Sequence, residues 1–273
     1  MTPPLFDTHC HLQDRKFRDE AESVVRRAVE AGVDTMLVCA YDDESIDQAL
    51  VLAERHPAVF AAAGVHPHDA ASLDDALLSR VAAAVHHPRC VAVGEIGLDF
   101  YRDLSPRDVQ REALDRQLAI AREAGLPVSV HTRSAEEAAL EPLVSHAHTL
   151  AAEKPGIHPG VMHCFAGSQE LAEAYIDAGY CISIPCTITY PNNTGLREVV
   201  AALPMESLVV ETDAPYLPPQ SHRGERNEPA YITAAVHAIA EVKGVSFDEV
   251  ARITSANARR VFAKVAVFEE SLR

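Results

Sequence analysis

A chain of 273 residues, 48% of them hydrophobic and 23% charged, is long enough to bury one large core, and a single α/β barrel needs ~250 residues. The formal charge of −16 excludes a protein that coats duplex nucleic acid with a broad basic face, but leaves open a strand end held locally by metals and a few arginines. MTPPLF has no basic region before an apolar stretch, and no apolar run reaches the ~20 residues of a spanning helix, so a soluble, cytoplasmic protein is expected, with neither a membrane nor an obligate protein partner.

In chain order, the first apolar run, 5–12, contains FDTHCHL and carries His9 and His11. Further strands are predicted over 34–40, 59–66, 90–98, 127–132, 160–165, 181–189 and 207–213. Helices are predicted between them, over 18–31, 43–55, 73–85, 106–124, 135–153, 169–178 and 196–203, with two more over 231–242 and 247–262. Gly32, Gly125 and Gly179 stand where helices end, and Ser105-Pro106 and Ser168 suit helix starts. Strand followed by helix, eight times, predicts a single-domain (β/α)8 TIM barrel over 1–273. An open doubly wound sheet is the competing fold, but no glycine-rich phosphate loop follows the first strand.

The chemistry sits at the ends of these strands. His9 and His11 are two residues apart, so both imidazoles share a strand face while Cys10 points the other way. Glu95 in GEIGLD, His131 in SVHTR, His163 in GVMHCF and Asp213 in VVETDAPYL end later runs, on the rim where barrels of this kind build active sites. Six nitrogen and oxygen donors are too many for one open catalytic metal and suit two ions sharing Glu95. The ions expected are divalent: imidazole-rich ligation suits Zn, Mn or Fe, whereas phosphoryl transfer often runs on Mg.

Ordinary readings compete with these. Fourteen histidines give about one His-x-His by chance. His146 and His148, in a predicted helix where i and i+2 diverge, read as surface histidines, and His66 of GVHPH, at a strand end, reads as functional ahead of His68. The six cysteines form no Cys-x-x-Cys and read as buried reduced thiols.

FDTHCHL, GVHPH, VGEIGLDFYR, HTRSAEEA, GVMHCFAGS, ETDAPYL and RGERNEPAY, in that order, resemble the TatD family of metal-dependent deoxyribonucleases almost end to end. The resemblance implies a TIM barrel that hydrolyses DNA phosphodiesters, with 3′ to 5′ exonuclease activity on single strands or 3′ ends, and a role in DNA repair or degradation. It implies that His9 and His11 hold one ion and His131 and His163 the other, that Glu95 bridges, and that Asp213 completes the site. Two segments depart from the pattern: CISIPCTITYPNN, and RGERNEP with Glu225 where a lysine is common.

Further roles follow from chemistry. Asp213 is the expected general base, Glu211 supports it from two residues earlier, and His66 orients phosphate or leaving oxygen as a donor. Arg133 and Arg223, or Arg226, are candidate phosphate forks, and Phe100 and Tyr101 candidate stacking partners. Three other readings remain open at this point: a D-aminoacyl-tRNA deacylase, a carboxylated-lysine amidohydrolase, and a barrel that binds metal without catalysis. The second needs a strand-end lysine, and Lys16, Lys154, Lys243 and Lys264 all lie outside the predicted strands.

Overall fold

Strands apolar on both faces demand cover on both, and this sequence meets the demand by following each strand with an amphipathic helix. The computed structural model describes residues 3–271. Among them, β1 (Leu5–Cys10), β2 (Val33–Cys39), β3 (Val59–Ala63), β4 (Cys90–Asp99), β5 (Val128–Arg133), β6 (Gly160–His163), β7 (Cys181–Ile184) and β8 (Leu208–Val210) pair in parallel and in sequence order. Outside them lie α1 (Ala21–Glu30), α2 (Asp43–Arg55), α3 (Asp75–Ala84), α4 (Arg107–Ala124), α5 (Glu136–Glu153), α6 (Gln169–Asp177), α7 (Thr194–Ala202), α8 (Ile232–Lys243), α9 (Phe247–Val261) and α10 (Lys264–Ser271). The fold is a single-domain (β/α)8 barrel. No described helix is long and apolar enough to cross a membrane.

Closure between the last and first strands is made locally rather than by a full ladder. The Asp213 amide donates to His9 O at 2.9 Å and the His11 amide to Ala214 O at 2.7 Å. Asp7, buried, accepts from the Thr212 hydroxyl and amide at 2.6 and 3.0 Å, and burial holds its carboxyl up at about 8 against those bonds. The seam is therefore pinned where three of the candidate donors emerge.

Helix ends follow their sequence signals. Asp42 caps α2 reciprocally with Ser45, Ser168 caps α6, and Gly125 ends α4 in the left-handed conformation. Ser105 instead links Ala71 N and His68 O, and caps nothing.

Several expectations change. The third strand stops at Ala63, so His66 heads a 3-10 turn (Pro67–Ser72) instead of ending a strand, and Glu95 lies in the middle of β4 rather than at its end. The seventh strand stops at Ile184, because Pro185 has no amide for the ladder, and Cys186–Thr189 turns into a 3-10 helix. The eighth strand ends at Val210, and Asp213 lies beyond it with a left-handed φ of 57°, a conformation that aspartate tolerates. His146 is buried rather than on the surface: it joins Ala139, Leu143 and Leu150 on the inner face of α5, with Arg122 3.3 Å from its Nδ1. His148 is exposed as expected. Finally α10 was not anticipated; Lys264 ties it to the carbonyls of Val85, His87 and Cys90, and the Arg89 guanidinium lies 4.4 Å from the Phe268 ring.

Candidate metal centre

Glu95 is the hub. Its run VAVGEIGLD is buried from end to end, so a carboxylate carried inward at its middle can meet only what neighbouring strands deliver. They deliver histidines. Oε2 lies 3.4 Å from His9 Nε2 and 3.5 Å from His11 Nε2; Oε1 lies 3.1 Å from His131 Nδ1, 3.5 Å from His66 Nε2 and 3.6 Å from His163 Nε2. Asp213 Oδ1 reaches His11 Nε2 at 3.5 Å. Register accounts for the second group: Gly97 pairs with His131 across β4 and β5, and His131 with His163 across β5 and β6.

The outward nitrogens decide what the inward ones can do. His11 Nδ1 lies 2.9 Å from the Cys39 carbonyl, an acceptor only, so Nδ1 carries the proton and Nε2 presents a lone pair. His131 Nε2 and His163 Nδ1 face the carboxylates of Asp99 and Glu211 at 3.3 and 3.0 Å, which frees the inward nitrogen of each ring in the same way. His9 Nδ1 meets the Ser129 hydroxyl at 3.0 Å. His9 Nε2 and His11 Nε2 face each other at 3.2 Å. Both nitrogens lie within 4.8 Å of an Asp213 oxygen, and imidazole and carboxylate donors at that spacing fit a divalent metal.

His66 differs. Its Nδ1 accepts the His68 amide at 3.1 Å, so the proton of the neutral ring sits on Nε2 and points at Glu95 Oε1. His66, Glu95 and His131 have ligand-like spacing, but this tautomer makes His66 a donor rather than a ligand. His9–His11–Asp213, His9–Glu95–His163 and His163–Cys164–Asp213 are the other groups with ligand-like spacing among the described residues.

The electrostatics of the centre are set by burial and by the mutual influence of imidazoles and carboxylates. Burial opposes ionisation of Glu95, yet the surrounding imidazoles hold it well below the usual range. Burial and the neighbouring His163 push His9 down to about 3, and burial pushes His66 to about 4. Burial works against charge on His163 too, but Glu211 and Glu95 draw it up to about 10, so a proton and a metal compete for that ring.

Sequence reasoning missed Asp99, Ser129, Ser183 and the part played by His68. Asp99, fully buried at the end of β4, accepts from His68 Nε2 at 2.7 Å as well as facing His131. Its signal was the spacing: Glu95, Gly97 and Asp99 share one strand face. Ser183 donates to Glu211 Oε2 at 2.5 Å, and Glu211 Oε1 accepts the Cys164 amide at 2.8 Å, so Glu211 is anchored on both oxygens while it faces His163. Glu211→Gln is expected to weaken metal binding by roughly 10- to 100-fold, measured by competition with a chromophoric chelator.

The candidate substrate groups lie apart from the donors. Arg133 and Arg223 are exposed, with guanidinium carbons 4.1 Å above Tyr101 and 4.2 Å above Tyr190. Arg226 is held instead by Glu20 and Glu228 at 3.0 and 2.9 Å, Glu228 being gripped in turn by Arg27, which makes it a brace of the last loop. Glu225 pairs with His222 at 2.7 Å, and Phe100 packs under Arg107 and Arg111. Each lysine is engaged elsewhere: Lys264 as above, Lys243 and Lys154 on helix-end carbonyls, Lys16 over Tyr216. None can bridge metals as a carboxylated lysine. Five cysteines are buried, Cys164 is half-buried, and all six are free.

The profile of a family described as TatD-related DNase matches residues 6–263. An uncharacterised metal-dependent hydrolase of Bacillus subtilis, YabD, is 37% identical over 258 residues, covering 94% of this chain and 98% of that one. A Salmonella typhimurium protein named 3′-5′ ssDNA/RNA exonuclease TatD is 37% identical over 266 residues, covering 96% and 100%. The crystal structure of the Escherichia coli TatD homologue YjjV superposes with a TM-score of 0.88 at 34% identity, covering 95% and 98%.

Proposed function

This chain belongs to the TatD-related DNase family, and from that premise we propose that it is a metal-dependent 3′ to 5′ exonuclease acting on single-stranded DNA ends, in repair or degradation of DNA. The observation that carries the reading is the convergence of imidazoles on two carboxylates: His9, His11, His131 and His163 turn a ring nitrogen onto Glu95 or Asp213, while the outward nitrogens of His11, His131 and His163 face the Cys39 carbonyl, Asp99 and Glu211. His9, His11 and Asp213 would hold one divalent ion and His131 and His163 a second, with Glu95 between the two sets. When bound, such ions polarise a phosphoryl group and acidify a water.

The protein's own groups do the rest. Asp213, partly exposed at the rim, accepts the water's proton on a carboxylate oxygen. His66, neutral and protonated at Nε2, donates to a phosphate oxygen that displaces its present partner, Glu95. Glu211 and Asp99 fix the ring planes of His163 and His131. Arg133 and Arg223, each on a tyrosine face, supply forks for backbone phosphate near the rim and offset locally the charge of −16.

Digestion of single-stranded oligonucleotides, DNA and RNA, with free or blocked ends tests the reading. Mononucleotides are expected only from free 3′ ends, and only with divalent metal, with all release abolished by EDTA. Cleavage indifferent to a 3′ block, or persistent in the chelator, overturns it.

A further inference from the structure

A cavity of about 410 Å³ opens between the loop after β6 and the segment joining β7 to α7. Its size suits one small molecule, for which roughly 300–1,000 Å³ is usual. Cys164 forms the wall it shares with the metal centre: it lines the cavity, and its sulfur lies within 4.8 Å of a His163 nitrogen and an Asp213 oxygen. A ligand there stands one side chain from the donors.

The other walls have a definite chemistry. Phe165, Leu196 and Val199 are buried and give an apolar face; Thr187 and Asn193 give polar groups on one side, and Ser168, Gln169 and the exposed Glu198 give others. Asn193 Nδ2 is spent on Thr187, 3.2 Å from its carbonyl and 3.4 Å from its hydroxyl, which leaves the amide oxygen as an acceptor. An apolar slot with hydrogen-bonding groups on one edge suits a flat ring with a polar rim.

Resting on the exonuclease reading above, we propose that this cavity receives the 3′-terminal nucleoside of the strand. In that reaction water adds to phosphorus, the bond from phosphorus to the 3′ oxygen of the preceding nucleotide breaks, and that oxygen takes up a proton. The product is a nucleoside 5′-monophosphate, whose sugar and base must lie on one side of the centre. A cavity that holds one nucleoside confines cleavage to the last bond of the strand.

Calorimetric binding of thymidine 5′-monophosphate and of inorganic phosphate to the full chain supplied with Mn²⁺ tests this. The wild type is expected to bind the nucleotide at least about tenfold more tightly than phosphate. Gly195 lines the cavity, and a Cβ added there meets nothing within 4 Å, so Gly195→Trp fills the space without a clash at the backbone and is expected to erase the preference. Asn193→Ala, which loses only the acceptor, is expected to reduce it by about threefold. Equal affinities in the wild type, or a preference unchanged in both variants, overturn the proposal. If the preference behaves as expected but the wild type frees no 3′ mononucleotides, the cavity assignment stands and the exonuclease reading falls.

Discussion

Replacing Glu95 by glutamine is expected to lower phosphodiester hydrolysis by about a thousandfold or more, some 4 kcal/mol of barrier. Five imidazoles stand within 3.6 Å of this one carboxylate, and both of its oxygens are used. Glutamine keeps the volume and one oxygen. Its other terminus is an NH₂ group, which would aim protons at lone pairs or at His66 Nε2–H, and the negative charge the cations need is gone. Circular dichroism of the variant should match the wild type, because the exchange is nearly isosteric. Initial rates on a 3′-free oligonucleotide at saturating metal check the effect; activity above a tenth of wild type would remove Glu95 from the bridging position.

Gly97→Ala is expected to cost about 4 kcal/mol or more and to yield mostly insoluble chain. Gly97 has a φ of 146°, and an added Cβ would lie 1.9 Å from the carbonyl oxygen of His131 on the paired strand. That contact is with main chain in the middle of β4 and β5, where neither partner can turn aside. Damage to stability and to the site coincide here, since the strand that must move carries His131. A urea titration against wild type measures it, and a loss below 1 kcal/mol would mean that the strands can part.

The sequence made the strands readable because their apolar runs are short and bounded, and it made His9, His11, Glu95, His131, His163 and Asp213 readable because polar residues at the ends of such runs are conspicuous. Asp99 was harder to see, since it lies just past the predicted end of its strand and next to two aromatic residues that read as loop. His146 escaped because an imidazole in a polar-looking helix carries no mark of burial; only the spacing to Leu143 and Leu150 could have shown it. The proton positions lay beyond sequence altogether. They depend on Cys39 O, the His68 amide and two carboxylates that meet the rings only after the barrel closes.

Closure has a consequence in time as well as in space. His9 and His11 leave the ribosome near the start of synthesis and Asp213 near its end, and the two groups meet across the seam held by Asp213 N to His9 O and His11 N to Ala214 O. Contacts so distant along the chain form late. A nascent chain therefore lacks a complete donor set until nearly four-fifths of it has been made.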